Sequence, residues 1–247
     1  MLNRICLFGI CAVVLSLMAS ISQAQSVDIM EYLRYDTPPE YYEFVKVSEP
    51  GAEVRINRIV YTENFSYHEQ SVLKIDRYEN EENQEVVSNT LYVTNDLENF
   101  YFAGFAYNDS TFGKIDLYFN PRIPFPISVE IGQSISRSTQ SQVSLGFLQA
   151  TLDINATVTP IQFENVETPL GLFENALQVE LELEAIWNGA VLSSTLRSEW
   201  YHPLAGLVKT MNRETGSTYL LTRVEPPLDN TAVQHWAIHD SDRSELN

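Results

Sequence analysis

Apolar and polar residues alternate with period two over most of the chain, the signature of strands with one buried face. The cleanest stretch places Leu177, Val179, Leu181, Leu183 and Ala185 on one face and Gln178, Glu180, Glu182 and Glu184 on the other. Asn188-Gly189 follows, a dipeptide suited to a type I′ hairpin because both central positions need positive φ. Setting Trp187 opposite Ala190 predicts an inner face on which Leu183 meets Ser194, Leu181 meets Leu196 and Leu177 meets Trp200. The outer face then sets Glu180 against Arg197, an opposite-charge cross-strand pair. A second hairpin is expected from residues 207–213 and 217–224 around Glu214-Thr215-Gly216, with His202 to Gly206 as the link.

Upstream, the same pattern predicts strands over 41–47, 53–61, 71–78, 86–94, 100–107 and 115–119. Charged or turn-forming stretches separate them at 79–85, 95–99 and 108–113. Pro121, Pro124 and Pro126 lack ladder donors, which keeps 121–126 out of a sheet interior and predicts an extended connection between two halves of the sheet. Residues 142–158 alternate again, with Leu148, Leu152, Ile154 and Val158 prominent. Helical patterns are confined to 27–33 and 229–239. No repeat period or composition shift marks a second domain. The expected fold is mostly β: one antiparallel, strongly curved meander sheet, half-barrel or sandwich, with one or two short helices near the termini. It spans residues 25–225 and is followed by a polar tail, 226–247.

The first residues change the cysteine count. Arg4, an apolar run over 5–17 and the small residues of Ser22-Gln23-Ala24 read as a signal peptide, 1–24, cleaved between Ala24 and Gln25. The run is too short to favour a permanent membrane span, so no stable span is expected after cleavage. Both cysteines, Cys6 and Cys11, lie within it. The remaining chain has no thiol and must rest on core burial alone, which suits a bacterial periplasm or exterior.

Charge and composition then narrow the chemistry. Fifteen Lys and Arg stand against 33 Asp and Glu, a net charge of −18 that opposes nucleic acid and anionic membranes. Ten scattered glycines offer no phosphate-cradling loop, and nothing implies a cofactor or a metal. Glu180, Glu182 and Glu184 lie about 7 Å apart along one strand face, too far to share one cation, and read as a solvated coat. His235 and His239 have metal-pair spacing, but no Glu follows His235 and they fit a polar tail. There is no Gly-x-Ser-x-Gly elbow. Paired carboxylates occur by number alone, which leaves a carboxylate-based hydrolase as the least favoured reading. Aromatic residues make up 11% of the chain, and Phe100 to Tyr107 carries rings on both strand faces. That pattern suits a central strand or the wall of a cavity for an apolar or lipid-like ligand. Candidate lining residues are Phe102, Phe105 and Leu183, with Trp200 and Tyr201 on opposite faces and Lys209 available to an anionic headgroup.

Two segments carry a resemblance. Thr168-Pro-Leu-Gly-Leu-Phe-Glu-Asn-Ala-Leu-Gln-Val179 is similar to a P-x-G-x-F-x-N-A pattern, and Glu199-Trp-Tyr-His-Pro-Leu-Ala-Gly-Leu-Val-Lys209 to W-Y-x-P-x-x-G-x-V-K. Together they resemble exported bacterial β-rich proteins of uncharacterised function, best over 124–224. Those proteins are similar in turn to the curved antiparallel half-barrels of periplasmic lipoprotein carriers. The entry strand departs from the pattern: Tyr41-Tyr-Glu-Phe-Val45 lacks the expected Trp. The resemblance implies no catalytic residues. The combined expectation is an exported, non-enzymatic protein binding an apolar small molecule or an envelope component. The alternative is an interaction module that uses its acidic outer face.

Overall fold

A strand whose alternate side chains are apolar must lay one face against other apolar surface, and this chain does so by curling a single sheet around itself. The structure, a computed structural model, describes residues 25–35, 37–47, 56–81, 84–109, 113–145 and 148–226. The expected signal peptide, His235, His239 and the tail helix lie outside those residues.

The described elements begin with β1 (Ser26–Asp28) and the one-turn helix α1 (Ile29–Leu33). The Asp28 side chain caps α1 by accepting from the Met30 amide at 3.0 Å. A first meander follows: β2 (Tyr41–Val47), β3 (Ile56–Tyr67), β4 (Gln70–Glu81), β5 (Gln84–Asn95), β6 (Asn99–Asp109) and β7 (Gly113–Pro126). The short β8 (Ser128–Glu130) pairs with β1. A second meander comprises β9 (Ile135–Leu145), β10 (Leu148–Thr168), β11 (Gly171–Trp187), β12 (Ala190–His202), β13 (Gly206–Asn212) and β14 (Thr218–Glu225). The last strand, β14, pairs back onto β2, which joins the meanders into one 12-stranded antiparallel sheet with β7 and β9 at its edges.

The sheet closes almost into a barrel. Across the seam the Thr139 hydroxyl donates to the Pro121 carbonyl at 2.8 Å. Residues 121–126 therefore continue β7 rather than leaving the sheet, a correction to the expected connection. The constraint behind that expectation holds: prolines without a ladder donor sit on an edge strand, not in the interior. The alternation over 142–158 likewise spans two strands, β9 and β10, and not one.

Inward side chains fill the lumen. Tyr42, Phe44, Phe100, Phe119, Phe125, Leu117, Ile123, Ile154, Leu177 and Leu221 are all fully buried. The β1–α1 segment closes one end. Ile29, Met30 and Leu33 join the main core, Tyr32 packs on Phe163 with ring centroids 5.9 Å apart, and the Arg34 guanidinium donates to the Leu204 carbonyl in the β12–β13 turn. A second, smaller cluster lies on the outer face of β3–β7, where Tyr67 and Tyr92 stack at 3.8 Å and Tyr67 donates to Asp116 at 2.7 Å.

The β11–β12 hairpin starts in the expected register, with Trp187 opposite Ala190 and Ile186 opposite Val191. A bulge at Leu192 then shifts it by one residue. Ala185 faces Ser193, Leu183 faces Thr195, Leu181 faces Arg197 and Leu177 faces Tyr201. Because the side-chain period is two, the slip turns the rest of β12 over. Arg197, Glu199 and Tyr201 face the lumen, and Leu196 and Trp200 face out. Glu180 meets Ser198 and forms its ion pair with Arg213 instead of Arg197.

Gly206 opens β13 with φ +73, and a Cβ there would stand 2.1 Å from the Tyr42 hydroxyl oxygen. That hydroxyl bonds to the Leu207 backbone, so the closeness is part of the packing. Gly206→Ala should lower unfolding free energy in urea by about 3 kcal/mol, combining left-handed strain with overpacking. Gly132→Ala, at φ +82 with nothing within 4 Å of the added carbon, should cost only about 1–2 kcal/mol.

Candidate functional site

The slipped register puts a charged pair where an apolar wall was expected. Arg77 on β4 reaches across the lumen and donates Nη2 to Glu199 Oε1 on β12 at 2.6 Å. The Tyr201 hydroxyl donates to the second oxygen, Oε2. Glu199 has no solvent exposure, whereas the Arg77 side chain keeps 17%. Burial alone would push the Glu199 carboxyl up. The Arg77 and Arg197 charges, with the hydrogen bonds from Tyr201 and Arg77, outweigh it and hold the group below the usual glutamate value. Such a carboxylate stays ionised, which unsuits it as a general acid. Tyr35 and Tyr61 lie close enough to feel both charges, and burial raises both phenols.

Arg77 also lines a cleft of about 280 Å³ that opens between β2–β4 and β12–β14. Lys46, Arg58 and Arg197 line it too, and its described lining includes no Asp or Glu. Arg58 lies at the rim, 5.3 Å from the centroid of the Tyr78 ring and opposite Glu43 in the β2–β3 register. Thr210, Asn212, Thr215 and Ser217 add hydroxyl and amide groups, and Phe44 and Ile59 supply apolar floor. Cationic forks beside small neutral donors over an apolar floor are the groups that hold a carboxylate or phosphate carrying an apolar tail.

The residues picked out from sequence are dispersed. Phe102 is half-buried and packs 5.2 Å from Phe125, centroid to centroid. Phe105 packs at 5.9 Å on Tyr107. Leu183 stands on the inner face between Ala156 and Thr195. None of the three lines the cationic cleft. Trp200, expected inside, is on the outer face yet only 3% exposed, covered by Lys209 with its ammonium 3.8 Å from the ring centroid. Its indole donates to Glu164, and Lys209 stands 3.9 Å from the same carboxylate. Tyr201 alone of the set reaches the charged cluster. Glu180, Glu182 and Glu184 share the outer face as expected, each half-exposed. Among the described residues, no cluster of three or more His, Cys, Asp and Glu is placed to hold a metal.

Sequence reasoning passed over Arg77, Arg197, Glu199, Lys46 and Tyr35. One signal was readable: Val191-Leu192-Ser193-Ser194 breaks period two directly after the turn, which is what a bulge does to a pattern.

The ion pair makes stability pH-dependent. A depressed folded pKa adds stability above the unfolded glutamate value, about 4.3, and that contribution is lost as pH falls through the folded value. Urea midpoints should be level above about pH 5 and fall below about pH 4, and Glu199→Gln should flatten that fall. Arg77→Met should cost about 3 kcal/mol at pH 7, because it strips a fully buried carboxylate of its nearest counter-charge.

No protein-family model matches this chain, and no curated protein matches it. Among solved structures, a "putative exported protein with YmcC-like fold" from Bacteroides fragilis aligns over 76% of this chain and 96% of that one, at 14% identity and a TM-score of 0.42. A likeness at that level assigns neither fold nor function to this chain.

Proposed function

We propose that this chain is a non-enzymatic binding protein that takes the anionic group of a small amphiphile into the open end of its barrel. One observation carries the reading. A chain of net charge −18 places Lys46, Arg58, Arg77 and Arg197 around one cleft whose described lining holds no acid. Concentrating scarce cations there offsets a field that elsewhere repels anions, and the offset is strongest close to the guanidinium forks. Phe44 and Ile59 would take the start of an apolar tail. The signal peptide expected over 1–24 makes the setting of this binding the periplasm or the exterior.

Relative to the sequence expectation, the ligand class stays amphiphilic and the contact residues change. Phe102, Phe105, Leu183 and Lys209 give way to the cations of the cleft.

Isothermal titration of the purified protein with decanoate and with decanol tests this. Decanoate should bind saturably and decanol at least tenfold more weakly. Arg197→Gln should cost decanoate about tenfold, the worth of one charged hydrogen bond, and leave decanol unchanged. Equal affinity for the two compounds, or no binding of decanoate, would overturn the reading.

A further inference from the structure

One hydrogen-bonded chain joins the two ends of the lumen. It begins at Arg77 in the cationic cleft, which holds Glu199 at 2.6 Å. Tyr201 donates to the far oxygen of the same carboxylate. Tyr35 hydrogen-bonds with Tyr201. Tyr35 also lines a second cleft, of about 230 Å³, beside Asn64, Ser71 and Thr94 on the rims of β3–β5. It stands two residues beyond the end of α1, the element that stoppers that end of the lumen. The cationic cleft and the N-terminal stopper are thus connected by three side-chain contacts through an otherwise apolar interior.

We infer that an anion bound in the cleft tightens the stopper through this chain, and that the stopper in turn sets how firmly the anion is held. The inference rests on the anion reading above. A ligand carboxylate beside Arg77 takes a share of the charge that Arg77 lends to Glu199. Glu199 has no exposure and cannot turn to water. It leans instead on Arg197 and on the Tyr201 hydroxyl. A hydroxyl that donates more strongly has an oxygen that accepts more strongly, so the bond to Tyr35 strengthens in step. Linkage then requires the converse: deleting the Tyr35 hydroxyl weakens the anion, although Tyr35 does not line its cleft.

Hydrogen exchange on the full chain, with and without saturating decanoate, reads the forward effect. Amides of residues 29–35 should exchange at least about threefold more slowly with decanoate, while β9 and β10 stay unchanged. Tyr35→Phe keeps the ring and removes only the hydroxyl. It should weaken decanoate about fivefold, the lower end of ordinary coupling, and abolish the slowed exchange. If decanoate binds while exchange at 29–35 does not move, or Tyr35→Phe binds with unaltered affinity, the coupling is wrong and the anion reading survives. If the unsubstituted protein fails to bind decanoate, both fall. The exchange comparison on that protein decides the matter even if Tyr35→Phe does not fold.

Discussion

The contact between Arg77 and Glu199 governs the shape of this molecule. The two residues sit on β4 and β12, which are five strand steps apart in the sheet. At about 4.8 Å per step the path along the sheet is about 24 Å, yet the side chains meet at 2.6 Å. Only a sheet curled nearly into a tube brings them together. The charges tolerate that position because each has partners. Glu199 has two guanidinium groups and a phenol near it, and Arg77 keeps an edge toward the cleft. A buried pair of this kind is weak evidence for stability by itself, because desolvation offsets most of the attraction. Its consequence is geometric: with one carboxylate already answered inside, the remaining donors of Arg77 and Arg197 face the cleft.

Closure is achieved at two places by different means. Along β2 and β14 the first and last strands of the sheet-forming chain meet in a regular antiparallel ladder. At the β7–β9 seam, prolines on β7 cannot supply a continuous row of donors, and a side-chain bond from Thr139 stands in. The seam prolines also discourage another chain from pairing onto that edge. The result is a barrel without a closing ladder, stoppered at one end by α1 and open toward the cationic cleft at the other.

Much of the architecture was legible because it depends on local periodicity. The bounds of β2 were read correctly, β4 to β6 were read nearly to their ends, and the turns at Asn188-Gly189 and at Gly216 fell where their chemistry put them. Gly206, in the second familiar segment, proved to be required by both its φ and the Tyr42 hydroxyl. The candidate site was mostly not legible. Trp200 and Tyr201 were seen to face opposite ways, but which of them faces inward turned on one bulge residue, Leu192. Arg77 was taken as ordinary strand polarity, since nothing nearby in sequence reveals a partner 122 residues away.

By itself the sequence determined that this is a single antiparallel β system with short turns and an acidic surface, because alternation and turn residues act over a few positions. Tertiary structure decided the parity of β12, the lumen-crossing ion pair and the gathering of four cations at one mouth. Parity is a property of register, and a single unpaired residue inverts it at almost no local cost. Contacts across the lumen exist only once the sheet has curled, and curvature is the sum of twist, bulges and closure over all of its strands.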